Sequence, residues 1–528
     1  MCGTVGVFKN VLKKLKPATP VILFLAGFNS VAVATPPWPT IIPPPIDPVL
    51  NDLVPLFSSY TMLDQTTQGQ VALSANLQEE IKIYNAATSY LRQQAAIDSP
   101  IRYSAQNILI AAFPNNPNFY ISSQNTPVAP LLPTGVIDSY DDIVNNQAIT
   151  ADGGGVKNYF DLYYPFYKRA YMPSASLGSP RPFVVSSEIN PWTPLQASSW
   201  AIASQASSDA SYAASPSFPS GHTATGYLNA LVDAVLAPGY YQSFMTAAAS
   251  YGYSRNVLGV HYPLDVIGGR ILTLYSAAET LAGNNPVFIP AAKFTLGNLA
   301  SLSESFQNYL GGGSSLPQSN CAGDISGCQA SGNIQTATQY TLANNEMLYY
   351  LTYNLPSVGD ETQAPVLPYD SVGQQNAYLL IQNRFPYLSQ AQLNELKSGG
   401  PLDNGTGWAR INLYAASGGY GAFSSDVAVT MDKSLGGFNA FDIWNNNISG
   451  AGGLNKLGTG ELVLAGHNTY SGPTNVQAGQ LDVTGSIESN VNVSAGATFA
   501  AYSGSSITGN VTNNGTFSIG DPMAPGTP

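Results

Sequence analysis

The sequence predicts a mainly α-helical protein that ends in a small β-solenoid segment. Residues 71–96 contain no Gly or Pro and carry apolar residues at helical spacing. After about residue 436, Asn, Gly, Thr, Ser and Val take over, and short alternating runs such as 461–464 are typical of strands. Ala and Leu dominate further helical segments between Gly and Pro breaks, at 221–236, 240–254, 262–283, 340–353 and 389–398.

A weak repeat runs through the C-terminal region. Gly479, Gly496 and Gly515 each begin a similar short apolar run, at intervals of 17 and 19 residues. This period indicates stacked rungs that bury their apolar faces on one another. Residues 458–483 resemble the autotransporter-associated β-strand repeat, which implies a solenoid architecture and no particular chemistry.

The N-terminus is typical of an export signal. Four lysines precede the apolar stretch 20–28, and Ala32-Val33-Ala34 resembles a cleavage site. A membrane anchor is the alternative, but the apolar stretch is short for a spanning helix. Loss of residues 1–34 removes four lysines and no acidic residue, so the net charge goes from −12 to −16. Such an acidic chain is not expected to bind nucleic acid.

The two cysteines that remain, Cys321 and Cys328, lie in a Gly/Ser-rich stretch with no other Cys or His nearby. In an oxidising compartment we expect them to form a disulfide and not a metal site. The chain is then expected to divide as follows: signal peptide 1–34, Pro-rich lead-in 35–58, helical core 59–310, loop with the disulfide 311–339, helical extension 340–440, β-solenoid 441–518 and tail 519–528.

Three short motifs follow one another within the helical core. They are Arg181-Pro182, the run Pro-Ser-Gly-His-Thr at 219–223, and Ser254-Arg255 followed by His261 and Asp265. Together they resemble the signature of the type 2 phosphatidic acid phosphatase superfamily, which includes soluble bacterial acid phosphatases and vanadium haloperoxidases. The resemblance implies a helical-bundle domain and is strongest over residues 155–285.

The resemblance also implies roles for these residues. His261 would attack phosphorus, Asp265 would orient its ring, and His222 would protonate the leaving group and then activate water. Charge on a phosphoryl group in transfer needs fixed donors around it, and arginine offers two at once. The residues expected to hold the phosphate are Lys168, Arg181, Ser220, Gly221 and Arg255.

One position departs from the family pattern. The pattern has a lysine seven positions before the arginine of Arg-Pro, where this chain has Ser174. Lys168 is the nearest lysine, and an insertion of about six residues would place it there. We therefore predict Lys168 as the missing phosphate ligand, with Arg169 as the second choice.

The sequence thus predicts an exported acid phosphatase, in the periplasm, at the cell surface or secreted, that forms a phosphohistidine on small phosphorylated substrates. No cofactor or metal is expected, and vanadate should act as an inhibitor that mimics phosphate. The C-terminal repeat is compatible with outer-membrane or cell-surface association. Two alternatives stay open: a vanadium-dependent haloperoxidase, and a non-catalytic autotransporter passenger that serves as adhesin or spacer. The helical region is expected to stay active without residues 441–528.

Overall fold

The computed structural model describes residues 57, 63–65, 67–98, 108, 112, 156–190, 213–282, 337–356, 374–398 and 411–520. The predicted signal peptide, Cys321, Cys328 and the last eight residues lie outside these ranges, as does the predicted lead-in apart from Phe57. Their predicted cleavage and pairing therefore stay predictions.

Twelve α-helices occur in the described ranges. Those before the motifs are α1 (Thr67–Ala86), α2 (Ser89–Asp98), α3 (Val156–Tyr163), α4 (Phe166–Tyr171) and α5 (Pro182–Val185). Those with the second and third motifs are α6 (Gly221–Leu236), α7 (Tyr241–Val257) and α8 (Pro263–Leu281). The remainder are α9 (Ala337–Thr352), α10 (Gln390–Ser398), α11 (Leu413–Ala416) and α12 (Gly437–Ala440). Short 3-10 helices occur at Leu63–Gln65, Pro238–Tyr240, Gln374–Leu380, Gln382–Arg384 and Lys433–Leu435.

Helices α6, α7 and α8 pack on one another and bring the second and third motifs together. Glycine makes this approach close, since a Cβ added at Gly269 of α8 would lie 2.4 Å from the carbonyl oxygen of Ser220. Any side chain at Gly269 would therefore push α8 away from the loop before α6. The three helices form the centre of the domain, and their buried apolar residues join one continuous core.

Fifteen short strands of the described chain form the solenoid. They are β1 (Ala422–Phe423), β2 (Val427–Thr430), β3 (Phe441–Trp444), β4 (Ser449–Gly450), β5 (Leu454–Leu457), β6 (Glu461–Leu464), β7 (His467–Asn468), β8 (Thr474–Val476), β9 (Gln480–Val483), β10 (Ser486–Ile487), β11 (Val491–Val493), β12 (Thr498–Tyr502), β13 (Ser506–Ile507), β14 (Val511–Asn513) and β15 (Thr516–Gly520). They stack in parallel in the orders β2-β5-β8-β11-β14 and β3-β6-β9-β12-β15, with two narrower sheets beside them.

The solenoid begins earlier than the sequence predicted. Strands β1 and β2 lie within residues 340–440, which were expected to be helical, and β2 pairs in register with β5 from Val427 to Thr430. The predicted boundary at 441 therefore falls inside the first rung. The composition missed this because strand β2 and its neighbours precede the Gly-spaced repeat, and parallel pairing is a long-range contact.

The helical region and the solenoid share their interior. The core that contains Ala224 and Leu272 continues without a break through Trp444 and Leu462. A cavity of about 60 Å³ lies where the two regions meet, lined by residues of α7 and of the first rung. None of the helices described here has the length and apolarity to span a bilayer.

Candidate active site

His261 and Asp265 form a buried pair at the start of α8. His261 Nδ1 lies 3.1 Å from Asp265 Oδ2, and the two residues are 2% and 0% exposed. The same carboxylate oxygen accepts hydrogen bonds from the Ser217 hydroxyl and from the Tyr262 N–H. Burial raises the pKa of Asp265 to about 6, and these two hydrogen bonds oppose that rise.

Arg181 fixes the tautomer of His261 from the other side of the ring. Its Nη1 lies 3.0 Å from His261 Nε2 and 2.8 Å from the carbonyl oxygen of Val260. A guanidinium can only donate, so Nε2 must accept, and the ring proton must then lie on Nδ1 toward Asp265. Burial lowers the pKa of His261 well below its usual value, and the charge of Arg181 lowers it further. His261 is thus held as a neutral imidazole with its lone pair on Nε2.

A lysine that the sequence analysis did not select lies at this site. Lys157, on α3, is 7% exposed, and its ammonium donates to the carbonyl oxygens of Pro216 and Ser217 at 2.9 and 3.0 Å. Burial lowers the pKa of Lys157 well below its usual value, the charge of Arg181 lowers it further, and the carboxylate of Asp265 opposes them. Lys157 also contributes to the lowered pKa of His261. These interactions place its charge within the His261 cluster.

Arg255 is the third cation of the cluster. It is 1% exposed, and Ser254 Oγ accepts from its Nε and Nη2 at 3.1 and 2.7 Å. Its guanidinium carbon lies 5.3 Å from the centre of the Tyr251 ring. The ring face, the hydroxyl and the carbonyl oxygen of Ala95, 3.4 Å from Nη2, compensate its burial, and among the described residues no carboxylate forms an ion pair with it. Its charge contributes to the lowered pKa of His261.

The N-terminus of α6 carries the second motif. Ser220 caps this helix, because its Oγ accepts from the N–H of Thr223 at 3.3 Å. Its own N–H donates to the carbonyl oxygen of Asp265 at 2.9 Å. The backbone donor expected at Ser220 is therefore occupied, while the N–H of Gly221, at the first helical position, has no acceptor among the described residues. Gly221 remains the backbone donor for an anion here.

His222 follows on the first turn of α6. Its ring lies 6.3 Å from that of Tyr251, and the residue is 7% exposed. Its charge contributes to the lowered pKa of His261, which places the two histidines near each other. The structure thus brings His222, His261, Asp265, Arg181, Arg255, Ser220 and Gly221 together.

No contact between described residues joins Lys168 or Arg169 to this cluster, and the charges that lower the pKa of His261 are those of Arg181, Lys157, His222 and Arg255. Lys168 is half-buried on α4, and its ammonium has no hydrogen bond or ion pair with any residue that the structure describes. Arg169 forms an ion pair with Asp64.

The sequence held a signal for Lys157. It stands one turn before Phe160 and Asp161 in an aromatic-rich helix, on the face that becomes buried. A lysine on an apolar helix face becomes buried and then needs hydrogen-bond acceptors for its ammonium group. Here the acceptors are carbonyl oxygens of the loop before the second motif. Spacing relative to Arg181 could not reveal it, because the two residues are 24 positions apart along the chain.

Within the described ranges no three His, Cys, Asp or Glu side chains lie close enough together to hold a metal ion. The donors around His261 are cationic or N–H groups, which suit an oxyanion.

Comparison with known families locates two segments. Residues 174–286 match the model of the PAP2 superfamily, and residues 454–483 match that of the Passenger-associated-transport-repeat. The first segment contains every residue of the three motifs, and the second covers strands β5 to β9. Lys157 and helix α1 lie outside both.

Two curated proteins show partial similarity. An "Extracellular serine protease" of Serratia marcescens is 33% identical over 180 residues, which cover 25% of this chain and 17% of that protein. The "Neisserial autotransporter lipoprotein NalP" of Neisseria meningitidis serogroup B is 28% identical over 158 residues, 28% of this chain and 14% of that protein. The chain therefore matches less than a fifth of the length of either relative.

Proposed function

We propose that this chain, whose residues 174–286 form a PAP2 superfamily domain, is an exported phosphatase that hydrolyses phosphomonoesters through a phosphohistidine at His261. One observation carries the proposal above the others. His261 is a neutral, buried imidazole with its lone pair on Nε2, and it is surrounded by Arg181, Lys157 and Arg255. A nucleophilic nitrogen inside a cationic cage suits attack on a phosphoryl group.

In the first step, a bound phosphomonoester takes the place of His261 Nε2 as acceptor for Arg181. Its oxygens receive hydrogen bonds from Arg181, Lys157, Arg255 and the N–H of Gly221. Nε2 attacks phosphorus, the P–O bond to the leaving group breaks, and His222 gives its proton to the departing oxygen. Asp265 stabilises the cationic phosphohistidine through Nδ1–H.

In the second step, His222, now neutral, takes a proton from water. The water oxygen attacks phosphorus and the P–N bond breaks, which releases inorganic phosphate and returns His261 to its neutral form. The cationic cage holds the transferring group in both steps, so the same residues stabilise both transition states.

The solenoid supports a location outside the cytoplasm. It contains a passenger-associated repeat, and the two relatives are named as an extracellular protease and an autotransporter lipoprotein. These similarities support an exported or cell-surface protein whose C-terminal part associates with the outer membrane or cell surface. They also favour a second candidate function, a passenger whose helical domain is not catalytic.

Hydrolysis of p-nitrophenyl phosphate by purified residues 35–528 tests the proposal. We expect turnover, competitive inhibition by vanadate, and loss of activity in His261→Ala. The His222→Ala variant should lose about 100-fold or more with alkyl phosphates and less with phenyl phosphates, since phenolates need less protonation. Rapid quench with labelled substrate should trap an acid-labile, base-stable phosphoryl group on the protein.

The alternatives give different outcomes. Peroxide-driven oxidation of bromide that depends on added vanadate would indicate a haloperoxidase. A folded protein without either activity would indicate a non-catalytic passenger, and full phosphatase activity in His261→Ala would contradict the proposed mechanism.

A further inference from the structure

Helix α1 directs two polar side chains toward the segment that carries the nucleophile. Asn76 and Glu80 are one helical turn apart and both are 0% exposed. Burying an amide or a carboxyl group without a hydrogen-bond partner is costly, so each must have a specific partner. Both residues lie outside the segment that matches the PAP2 superfamily.

Asn76 binds the first turn of α8. Its Oδ1 accepts a hydrogen bond of 2.9 Å from the N–H of Leu264. The first N–H groups of a helix have no partner within the helix, so a side-chain acceptor at this place fixes where α8 begins. The Nδ2 of Asn76 donates to the Tyr171 hydroxyl at 3.1 Å, which orients the amide. Asn76 therefore holds the backbone one residue before Asp265.

Glu80 acts on the other end of the segment through Asn256. The Nδ2 of Asn256 donates to Glu80 Oε2 at 2.9 Å and to the carbonyl oxygen of His261 at 2.8 Å. An amide nitrogen has two hydrogens, so one group serves both acceptors. The reversed amide would turn its oxygen toward the carbonyl oxygen of His261, so the hydrogen bonds to Glu80 and to His261 together set the orientation of Asn256.

These two links hold both ends of the run from His261 to Leu264. We propose that Asn76 and Glu80 are positioning residues that together set the place and direction of the His261 ring relative to Asp265 and Arg181. The catalytic consequence rests on the phosphatase function proposed above, whereas the structural consequence does not. Neither residue touches the phosphate site, since each acts on backbone atoms of the segment, Asn76 directly and Glu80 through Asn256.

The expected effect is on turnover more than on substrate binding. The phosphate would be bound by Arg181, Lys157 and Arg255, which these links do not hold. Misplacing a nucleophile by about 1 Å can lower the rate by about 100-fold. We therefore expect kcat to fall about 10- to 100-fold while KM changes little.

The test compares three variants at neighbouring positions of α1. Glu80→Leu removes the acceptor at similar volume, and Glu80→Gln retains an oxygen that can accept from Asn256. Glu79→Gln is the matched control, because Glu79 pairs with Lys82 and Tyr349 and not with Asn256. We expect kcat to fall in Glu80→Leu, to recover to within about threefold of wild type in Glu80→Gln, and to be unchanged in Glu79→Gln.

A second readout does not require phosphatase activity. The chain has three histidines, so ¹⁵N-histidine NMR can assign the His261 ring nitrogens by substitution of His222 and His467. We expect the Nδ1–H tautomer signal and the titration of His261 to shift in Glu80→Leu and to stay in place in Glu79→Gln. If the wild-type protein hydrolyses no phosphomonoester, this spectrum still shows whether Glu80 sets the position of the His261 ring.

Asn256→Asp tests the same link if Glu80→Leu does not fold. It keeps the size of the side chain but has no N–H to give to Glu80 or to His261. A folded Glu80→Leu or Asn256→Asp protein with wild-type kcat and an unchanged His261 spectrum would overturn the proposal. So would a lower kcat with an unchanged spectrum, because the loss would then not come from displacement of His261.

Discussion

At the scale of single residues, the three cations around His261 are held by different acceptors. Arg181 binds the carbonyl oxygen of Val260 and Ser215, while Arg255 binds Ser254 and lies over the Tyr251 ring. Lys157 donates to two carbonyl oxygens of the loop before α6, and its ammonium has no third acceptor among the described residues, so in the proposed mechanism the third N–H would bind a phosphate oxygen. Lys157 is thus tied both to the loop and to the charge of the site.

Lys157→Met should therefore lower kcat/KM by about 100-fold or more, because it removes a buried cation that in the proposed mechanism stabilises the transferring phosphoryl group. Lys168→Met is the matched control and should stay within about twofold, since the Lys168 ammonium has no hydrogen bond or ion pair within the described ranges. Steady-state kinetics with p-nitrophenyl phosphate measures both. A larger loss of kcat/KM in Lys168→Met than in Lys157→Met would indicate that Lys168, and not Lys157, binds the phosphate.

The pH dependence should reflect Asp265. With a pKa of about 6, this carboxyl is ionised above pH 6 and becomes protonated below it, while His261 stays neutral because its pKa is lowered. Since only the carboxylate can stabilise the cationic intermediate, kcat/KM should fall as the pH drops through about 6. The Ser217 hydroxyl lowers the pKa of Asp265, so Ser217→Ala should move this acid limb to higher pH.

Ser506→Ala, on β13, is the control and should leave the acid limb of the kcat/KM profile at the same pH as in the wild type. An acid limb that is the same in wild type and Ser217→Ala would show that Asp265 does not control it.

Residues of the site that are close together along the chain could be predicted from the sequence to lie together in the structure. His261 and Asp265 are four positions apart on the chain and form one buried pair. The contacts of Lys157, Asn76 and Glu80 could not be predicted in this way, because their hydrogen-bond partners lie 59, 188 and 176 positions away along the chain. The pattern of α1 nevertheless places Asn76 and Glu80 on the same face as Leu73 and Ile83, so their burial could have been predicted although their partners could not.

At the scale of elements, the solenoid is stabilised by side chains that repeat between rungs. Asn475 donates to Asn455 Oδ1 at 2.8 Å, and Asn492 donates to Asn475 Oδ1 at 2.9 Å. These residues occupy matched positions in the register of β5, β8 and β11. The ladder adds side-chain hydrogen bonds to the backbone pairing.

Asn475→Ala breaks both hydrogen bonds of the ladder. With a net contribution of about 0.5–1.5 kcal/mol for each bond, the free energy of unfolding should fall by about 1–3 kcal/mol. The proposed phosphatase turnover should not change, because the side-chain hydrogen bonds of Asn475 are with Asn455 and Asn492 and not with residues of the motifs. Urea denaturation followed by circular dichroism measures the loss. Thr512→Ala, at the next matched position and exposed, is the control and should change stability by less than about 0.5 kcal/mol.

Element boundaries were predictable where breakers mark them. The helices expected at 221–236 and 262–283 occur at Gly221–Leu236 and Pro263–Leu281, because Gly and Pro stand at their starts. The part of the first rung that precedes residue 441 was not predictable, since β2 is formed by parallel pairing with β5, in which Val427 lies opposite Leu454. Local sequence does not record such contacts.

At the scale of the whole molecule, the helical region and the solenoid are joined by buried polar contacts as well as by apolar packing. Arg384 is 7% exposed, lies between the rings of Phe385 and Phe438, and donates to Asp442 Oδ2 at 2.7 Å. The hydroxyl of Tyr387 donates to the same oxygen and accepts from Trp444 Nε1 at 2.9 Å. The first rung therefore supplies the counter-charge for a cation of the helical region.

Asp442→Ala should leave Arg384 buried without that counter-charge. Removing one partner of a buried ion pair lowers stability by about 3–5 kcal/mol. Lys82→Ala is the matched control, because it removes one partner of an ion pair in which Lys82 is 67% exposed, and its effect should be below about 1 kcal/mol. Chemical denaturation compares the two. Equal effects of the two substitutions would mean that the Arg384–Asp442 pair does not join the regions.

The same contacts change the expectation for truncation. The sequence predicts an active protein without residues 441–528, but that truncation removes Asp442, Trp444 and Asn446, which contact the helical region. Asn446 Nδ2 donates to the carbonyl oxygens of Ala415 and Gly419 at 2.8 and 2.6 Å, and its side chain is hydrogen-bonded to Tyr340. A protein ending at residue 440 would expose this apolar surface and leave Arg384 without a partner.

We therefore expect residues 35–440 to be insoluble or to lack cooperative thermal unfolding, and to hydrolyse no p-nitrophenyl phosphate. Residues 35–484 retain three rungs and every contact named above between the helical region and the first rung, so this protein should fold and keep kcat within about twofold of residues 35–528. Circular dichroism melting and steady-state kinetics on the two truncated proteins make the comparison. Full activity of residues 35–440 would show that the helical region folds alone. Loss of activity in a folded 35–484 protein would show that rungs beyond the third act on the site, which no contact of the described residues suggests.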